Sequence, residues 1–151
     1  MGVIMSITTT THLNFRGDAR AALEFYRSVF GGEITIATHR QGYGTTDPAE
    51  ADLVAWGQVL SANGFHVMAF DVPASQSYDA GDKPVYVSVR GTDQDELTAC
   101  WKGLSDGATV IQDLGPSGWT PLYGMLKDRF GVTWVIDVAS LLTRPRCPAS
   151  V

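Results

Sequence analysis

Two stretches of this chain repeat one another. Asn14-Phe-Arg-Gly-Asp18 is echoed by Ser88-Val-Arg-Gly-Thr-Asp93, each a short strand ending in Arg-Gly and followed by an aspartate placed to cap a helix. From those aspartates onward the halves keep register 75 residues apart, Asp18 with Asp93, Tyr26 with Trp101 and Gly32 with Gly107. An internal period constrains a fold more than any local propensity does, because each repeat is one supersecondary unit. Each half reads strand, capped helix, glycine stop, strand.

In the first helix Ala22, Phe25, Tyr26, Val29 and Phe30 fall at i, i+3, i+4, i+7 and i+8, an amphipathic stripe suited to packing on a sheet. Gly31-Gly32 ends it. The second helix, Asp93 to about Asp106, repeats the pattern with Leu97, Cys100, Trp101 and Leu104, and Gly107 closes it. Three strand-like runs follow each helix. In the first half they are Glu33–His39, Leu53–Ser61 and Phe65–Val72, the last two joined by Ala62-Asn63-Gly64, a strong hairpin signal. In the second half they are Ala108–Leu114, Trp119–Lys127 and Val132–Val138, with Asp128-Arg-Phe-Gly131 as a turn. Gly42–Glu50 and Pro73–Lys83 are rich in Gly, Pro, Ser and Asp and read as loops.

The expected organisation is an N-terminal extension over 1–7, a first βαβββ module over 8–72, a linker over 73–83, a second βαβββ module over 84–139 and a tail over 140–151. The fold class is α+β. Each helix can cover only one face of its own sheet, so the opposite faces are expected to form a cupped mixed sheet around a cavity.

Composition agrees. Of 151 residues, 44% are apolar, 10% aromatic and only 18% charged, which is a globular composition and excludes a disordered chain. A net charge of −5 argues against a nucleic-acid or anionic-membrane partner. No run reaches the roughly 18 apolar residues a membrane helix needs, and Met1–Thr11 lacks the pattern of a signal peptide, so a cytoplasmic location is expected. Met5 closely after Met1 suggests a loosely specified start. Cys100 and Cys147 form no CxxC or Cys/His cluster. Cys100 reads as a small core hydrophobe, and Cys147 sits in a tail where two prolines prevent regular structure. No nucleophile elbow, P-loop or dinucleotide fingerprint is present.

Three motifs resemble a known family. Tandem βαβββ modules with His12-Leu-Asn-Phe-Arg-Gly-Asp18, Glu24-Phe-Tyr-Arg-Ser-Val-Phe-Gly-Gly32 and Tyr123-Gly-Met-Leu-Lys-Asp-Arg-Phe-Gly-Val-Thr-Trp134 are similar to the glyoxalase/bleomycin-resistance/extradiol-dioxygenase superfamily, the vicinal oxygen chelate proteins, and within it to the PhnB-like branch. The likeness runs from about Thr8 to Ala139. It implies a cavity in a cupped sheet, a homodimer, and in active members a divalent metal held by His, Gln or Glu side chains from four strands, acting as a Lewis acid on a substrate with two adjacent oxygens. Members of this branch are sometimes labelled demethylubiquinone methyltransferases, but this chain has no glycine-rich nucleotide loop after a strand.

On the first strand, alternation puts His12, Asn14 and Arg16 on one face and Leu13 and Phe15 on the other. His12 falls at the family's first ligand position, where imidazole suits a metal, or a general base without one. The matching position in the second module is Tyr86, and the last strand offers Val135 where a Glu belongs. The fourth ligand strand presents His66, Met68 and Phe70 on one face and Val67, Ala69 and Asp71 on the other. A catalytic metal needs about three protein ligands, and one stands at its expected place. A substitute set from His12, His66, Asp71 and Asp137 stays open; His39, beside the Arg40–Asp47 loop, reads as a surface residue.

The remaining cavity candidates are Asn14, Trp56, Gln58, His66, Tyr86, Ser88, Trp119, Tyr123 and Met125, a set richer in Trp and Tyr than a sealed core requires. Two functional classes follow: an enzyme of the superfamily, of lyase, isomerase or oxygenase type, with His12 as ligand or base, or a protein that sequesters a small aromatic or amphipathic molecule, as bleomycin-resistance relatives do. A dimeric scaffold without a ligand is the third.

Overall fold

The structure is a computed structural model that describes residues 8–81 and 85–139. The N-terminal extension with Met5, the end of the expected linker and the tail with Cys147 lie outside the described residues. The chain divides into two compact units, Met1–Gly81 and Asp82–Val151.

The first unit contains β1 (Thr11–Phe15), α1 (Ala19–Phe30), β2 (Glu33–Thr38), α2 (His39–Tyr43), β3 (Val54–Leu60) and β4 (His66–Asp71). Its four-stranded sheet has the order β1-β4-β3-β2, with β1 parallel to β4 and the other pairs antiparallel. The crossover through α1 carries the chain from one edge of the sheet to the other, and two antiparallel returns bring β4 back beside β1. The second unit contains β5 (Val87–Gly91), α3 (Gln94–Leu104), β6 (Thr109–Gly115), β7 (Tyr123–Lys127) and β8 (Thr133–Val138). Its order, β5-β8-β7-β6 with β5 parallel to β8, repeats the first. Two four-stranded mixed sheets with covering helices make the α+β fold the repeat predicts.

In each unit the core lies between helix and sheet. The stripe of α1 is turned from the expected one: Ala19, Ala22, Leu23, Tyr26 and Phe30 are buried, and Phe25 and Val29 are only half-buried. The close fit of Leu23 explains the shift, since a Cβ at Gly57 of β3 would stand 2.6 Å from its Cδ1. From the sheet side Phe15, Val54, Val59, Val67 and Ala69 complete this core. In the second unit Leu97, Cys100 and Leu104 of α3 meet Leu126, Trp134 and Ile136. Burial there raises the Cys100 thiol above its ordinary pKa, with Glu96 adding to it, so the thiol stays protonated and inert as a core residue should. Gly32, at φ +101°, is held to glycine twice over, because a Cβ would also stand 2.5 Å from the Leu60 carbonyl oxygen.

The two helix starts differ. Asp93 caps α3 as its sequence position predicts, its side chain accepting the Asp95 amide at 2.9 Å. Asp18, its counterpart, makes no side-chain cap. That role falls to Asp71, at the far end of β4. Its Oδ1 accepts the amides of Gly17 at 2.7 Å and Ala19 at 3.1 Å, and its Oδ2 accepts the amide of Val54 at 2.9 Å. Asp71 is 1% exposed, and the three amides satisfy a carboxylate that would otherwise be costly to bury.

Candidate functional site

With α1 covering one face, the other face of the first sheet is built from alternate residues. His12 and Asn14 of β1, Trp56 and Gln58 of β3, and His66, Met68 and Phe70 of β4 point the same way, because the register sets His12 beside Met68, Asn14 beside Phe70 and Gln58 beside Met68. His12 and Asn14 are exposed, and Trp56 is 38% exposed.

Two histidine–amide pairs organise this face. Nδ1 of His12 donates to Oδ1 of Asn14 at 3.1 Å, and Nε2 of His66 donates to Oε1 of Gln58 at 2.9 Å. Each amide oxygen can only accept, so each pair selects one tautomer of the neutral ring and leaves the other nitrogen with a lone pair. The Phe70 and His12 rings meet in a T-shaped contact with centroids 5.1 Å apart at 65°. His12, Asn14, Trp56, Gln58 and His66, named separately from the sequence as candidates, stand together on this one face.

Asp71 is not on that face. It points to the helix side, and its oxygens are occupied by backbone amides, so it is corrected from metal-ligand alternative to helix cap. His39 is corrected as well. The strand before it stops at Thr38, and His39 opens α2 with 3% exposure, Nε2 donating to the Asp71 carbonyl at 3.0 Å. A capping box starts this helix: Thr38 Oγ1 accepts the Gln41 amide at 3.2 Å, and Gln41 Oε1 accepts the Thr38 amide at 2.9 Å. The Thr-x-x-Gln spacing is the signal that could have revealed a helix inside the expected loop.

Beside α2 lies a pocket of about 380 Å³. His39 and Tyr43 form one side, Glu50 from the turn ahead of β3 another, and Phe70 with Ser75 and Gln76 close it. Glu50 Oε1 accepts the Ala74 amide at 2.6 Å, which ties the two loops together. Sequence reasoning missed this pocket, since Glu50, Ser75 and Gln76 lie in segments that read only as loops.

The second unit likewise has a face that its own helix does not cover. There the register aligns Ser88 with Val135 and Met125, and Arg90 with Asp137 and Tyr123. Tyr86 stands just before β5 and is 39% exposed. Trp119 is not on a strand as expected; β7 begins only at Tyr123, because Pro121 and the Ser117–Thr120 turn interrupt the run. Its ring still meets Tyr123 edge-on at 5.1 Å. Asp137 is paired: Arg90 Nε lies 3.0 Å from its Oδ1, and the carboxylate side chain is 10% exposed.

Residues 10–136 match the sequence pattern of the glyoxalase/bleomycin resistance protein/dioxygenase superfamily. The chain belongs to that superfamily. It is similar in structure to protein PA1353 from Pseudomonas aeruginosa, with a TM-score of 0.78 and 26% identity over 88% of this chain and 98% of that one. It shares its fold with the PhnB protein from Bacillus cereus, at a TM-score of 0.67 and 23% identity over 88% of this chain and 100% of that one. A superfamily enzyme from Burkholderia phytofirmans PsJN gives 0.57 and 15% over 85% and 96%. No curated protein matches the sequence.

The superfamily resemblance implies a metal, and the donor set here does not fit one. His12 faces Met68 across the β1–β4 pair, and Val135, at the position where a Glu belongs, stands beside Ser88. The alternatives are used elsewhere, Asp71 by backbone amides and Asp137 by Arg90. Among the described residues no three His, Cys, Asp or Glu side chains come together as a metal would require.

Proposed function

We propose that the protein binds a small organic molecule on the face of its first sheet that α1 leaves open. The observation that carries this reading is the pairing of His12 with Asn14 and of His66 with Gln58 on a face that also carries Trp56, Leu60, Met68 and Phe70. Apolar area for affinity, with a few oriented donors and acceptors for selection, is how small-molecule sites are generally built. An aromatic ring bearing an amide or hydroxyl group fits this chemistry, stacking on Trp56 while its polar group meets the histidine–amide pairs.

A fragment screen by NMR with aromatic amides and phenols tests it. Bound fragments are expected to shift the amide signals of Asn14, Trp56, Gln58 and His66, and Trp56→Ala is expected to weaken them about tenfold without lowering the melting temperature. Fragments that leave those signals unmoved, or that bind Trp56→Ala unchanged, sink the reading.

One observation favours a second, catalytic reading. With Nδ1 of His12 donating to Asn14, Nε2 is the basic nitrogen of an exposed imidazole, placed to take a proton from a bound substrate without a metal. Nitrogen NMR of the neutral ring should report the Nδ1–H tautomer, and Asn14→Ala should mix the two tautomers. An unchanged tautomer in Asn14→Ala would remove Asn14 from this role.

A further inference from the structure

We propose that the pocket beside α2 binds a small organic ammonium, an amine cation carrying an apolar body. Its volume of about 380 Å³ lies within the usual range of small-molecule sites, roughly 300–1,000 Å³. Among the described residues that line it, Glu50 is the one carboxylate and none is a lysine or arginine. The Ala74 amide holds Glu50 Oε1 at 2.6 Å, fixing the carboxylate in the wall and leaving Oε2 to receive an N–H donor or to face a quaternary nitrogen.

The rest of the lining suits the remainder of such a ligand. Tyr43, 74% exposed, and the half-buried Phe70 line it with aromatic rings, whose faces attract cations through their negative quadrupole. The His39 and Tyr43 rings lie 5.6 Å apart, so the aromatic wall is continuous along α2. The hydroxyls of Ser75 and Thr45 and the amide of Gln76 add polar contacts without adding charge. Two cations stand nearby, each with partners of its own. Arg16 donates to the carbonyls of Pro73 and Gln76, both in the pocket wall, and lies 5.4 Å over the Tyr78 ring. Arg40 pairs with Asp52 at 3.4 Å. The pocket shares only Phe70 with the face carrying His12, so the proposal stands independently of ligand binding there.

The test is an NMR titration of the full chain with benzyltrimethylammonium, with benzyl alcohol and benzoate as neutral and anionic controls. The ammonium is expected to shift the amide signals of Tyr43, Thr45, Glu50 and Gln76 saturably and to bind more weakly as salt is raised. Glu50→Gln retains an acceptor for the Ala74 amide while removing the charge, and should weaken the ammonium about tenfold at an unchanged melting temperature. Trp56→Ala should leave it unaffected. Equal binding of either control, wild-type affinity in Glu50→Gln, or absence of shifts at those amides overturns the proposal.

Discussion

Asp71→Ala is expected to destabilise the protein by about 4 kcal/mol, the largest effect of any single substitution considered. The carboxylate accepts three backbone amides, and two of those bonds, to Ala19 and Val54, are buried. Alanine removes every acceptor at once, and a donor left dry inside a protein costs about 1–3 kcal/mol. Asp71→Asn separates hydrogen bonding from charge. It keeps one acceptor oxygen but points an NH2 group at a donor, so its expected cost is about half as large. Urea unfolding of the three proteins measures both. A loss under about 1 kcal/mol in Asp71→Ala would mean that water replaces the carboxylate.

The second large effect belongs to Asp128. Its Oδ1 accepts the amides of Phe130 at 2.8 Å and Val132 at 3.0 Å, and its Oδ2 accepts the indole N–H of Trp134 at 2.8 Å. Trp134 is fully buried. Asp128→Ala therefore loosens the β7–β8 turn and strands an indole donor, an expected loss of about 3 kcal/mol. A double-mutant cycle isolates the indole part. In a Trp134→Phe background, where no N–H remains, the penalty for Asp128→Ala should fall by about 1–2 kcal/mol. An equal penalty in both backgrounds would assign the whole effect to the turn.

These two aspartates mark what the sequence reveals and what it hides. The Asp128-Arg-Phe-Gly131 turn, the Asn63-Gly64 hairpin and the Asp93 cap are legible because each joins residues close along the chain. Strand alternation likewise groups His12 with Asn14, Trp56 with Gln58, and His66 with Met68 and Phe70, since period two needs only the strand itself, whereas their shared face depends on the register between strands. Asp71 reaches partners 54, 52 and 17 residues away, and no local pattern announces them. Asp18, one residue before the helix, is the natural cap to read and the wrong one. The α2 pocket is hidden for a related reason: Glu50, Ser75 and Gln76 gain their meaning from how two loops meet. Trp119 fails differently, because Pro121 interrupts a run whose aromatic content reads as strand.

The differing helix caps also imply differing orders of assembly. In the second unit α3 carries its own cap and can close its first turn while the strands around it are still unpaired. In the first unit the first turn of α1 is completed by a side chain from the last strand, which also fastens the start of β3. That helix reaches its native end only once β4 lies beside β1, so two halves of the same topology are expected to fold by different routes, the second from local structure outward and the first in a single concerted closure.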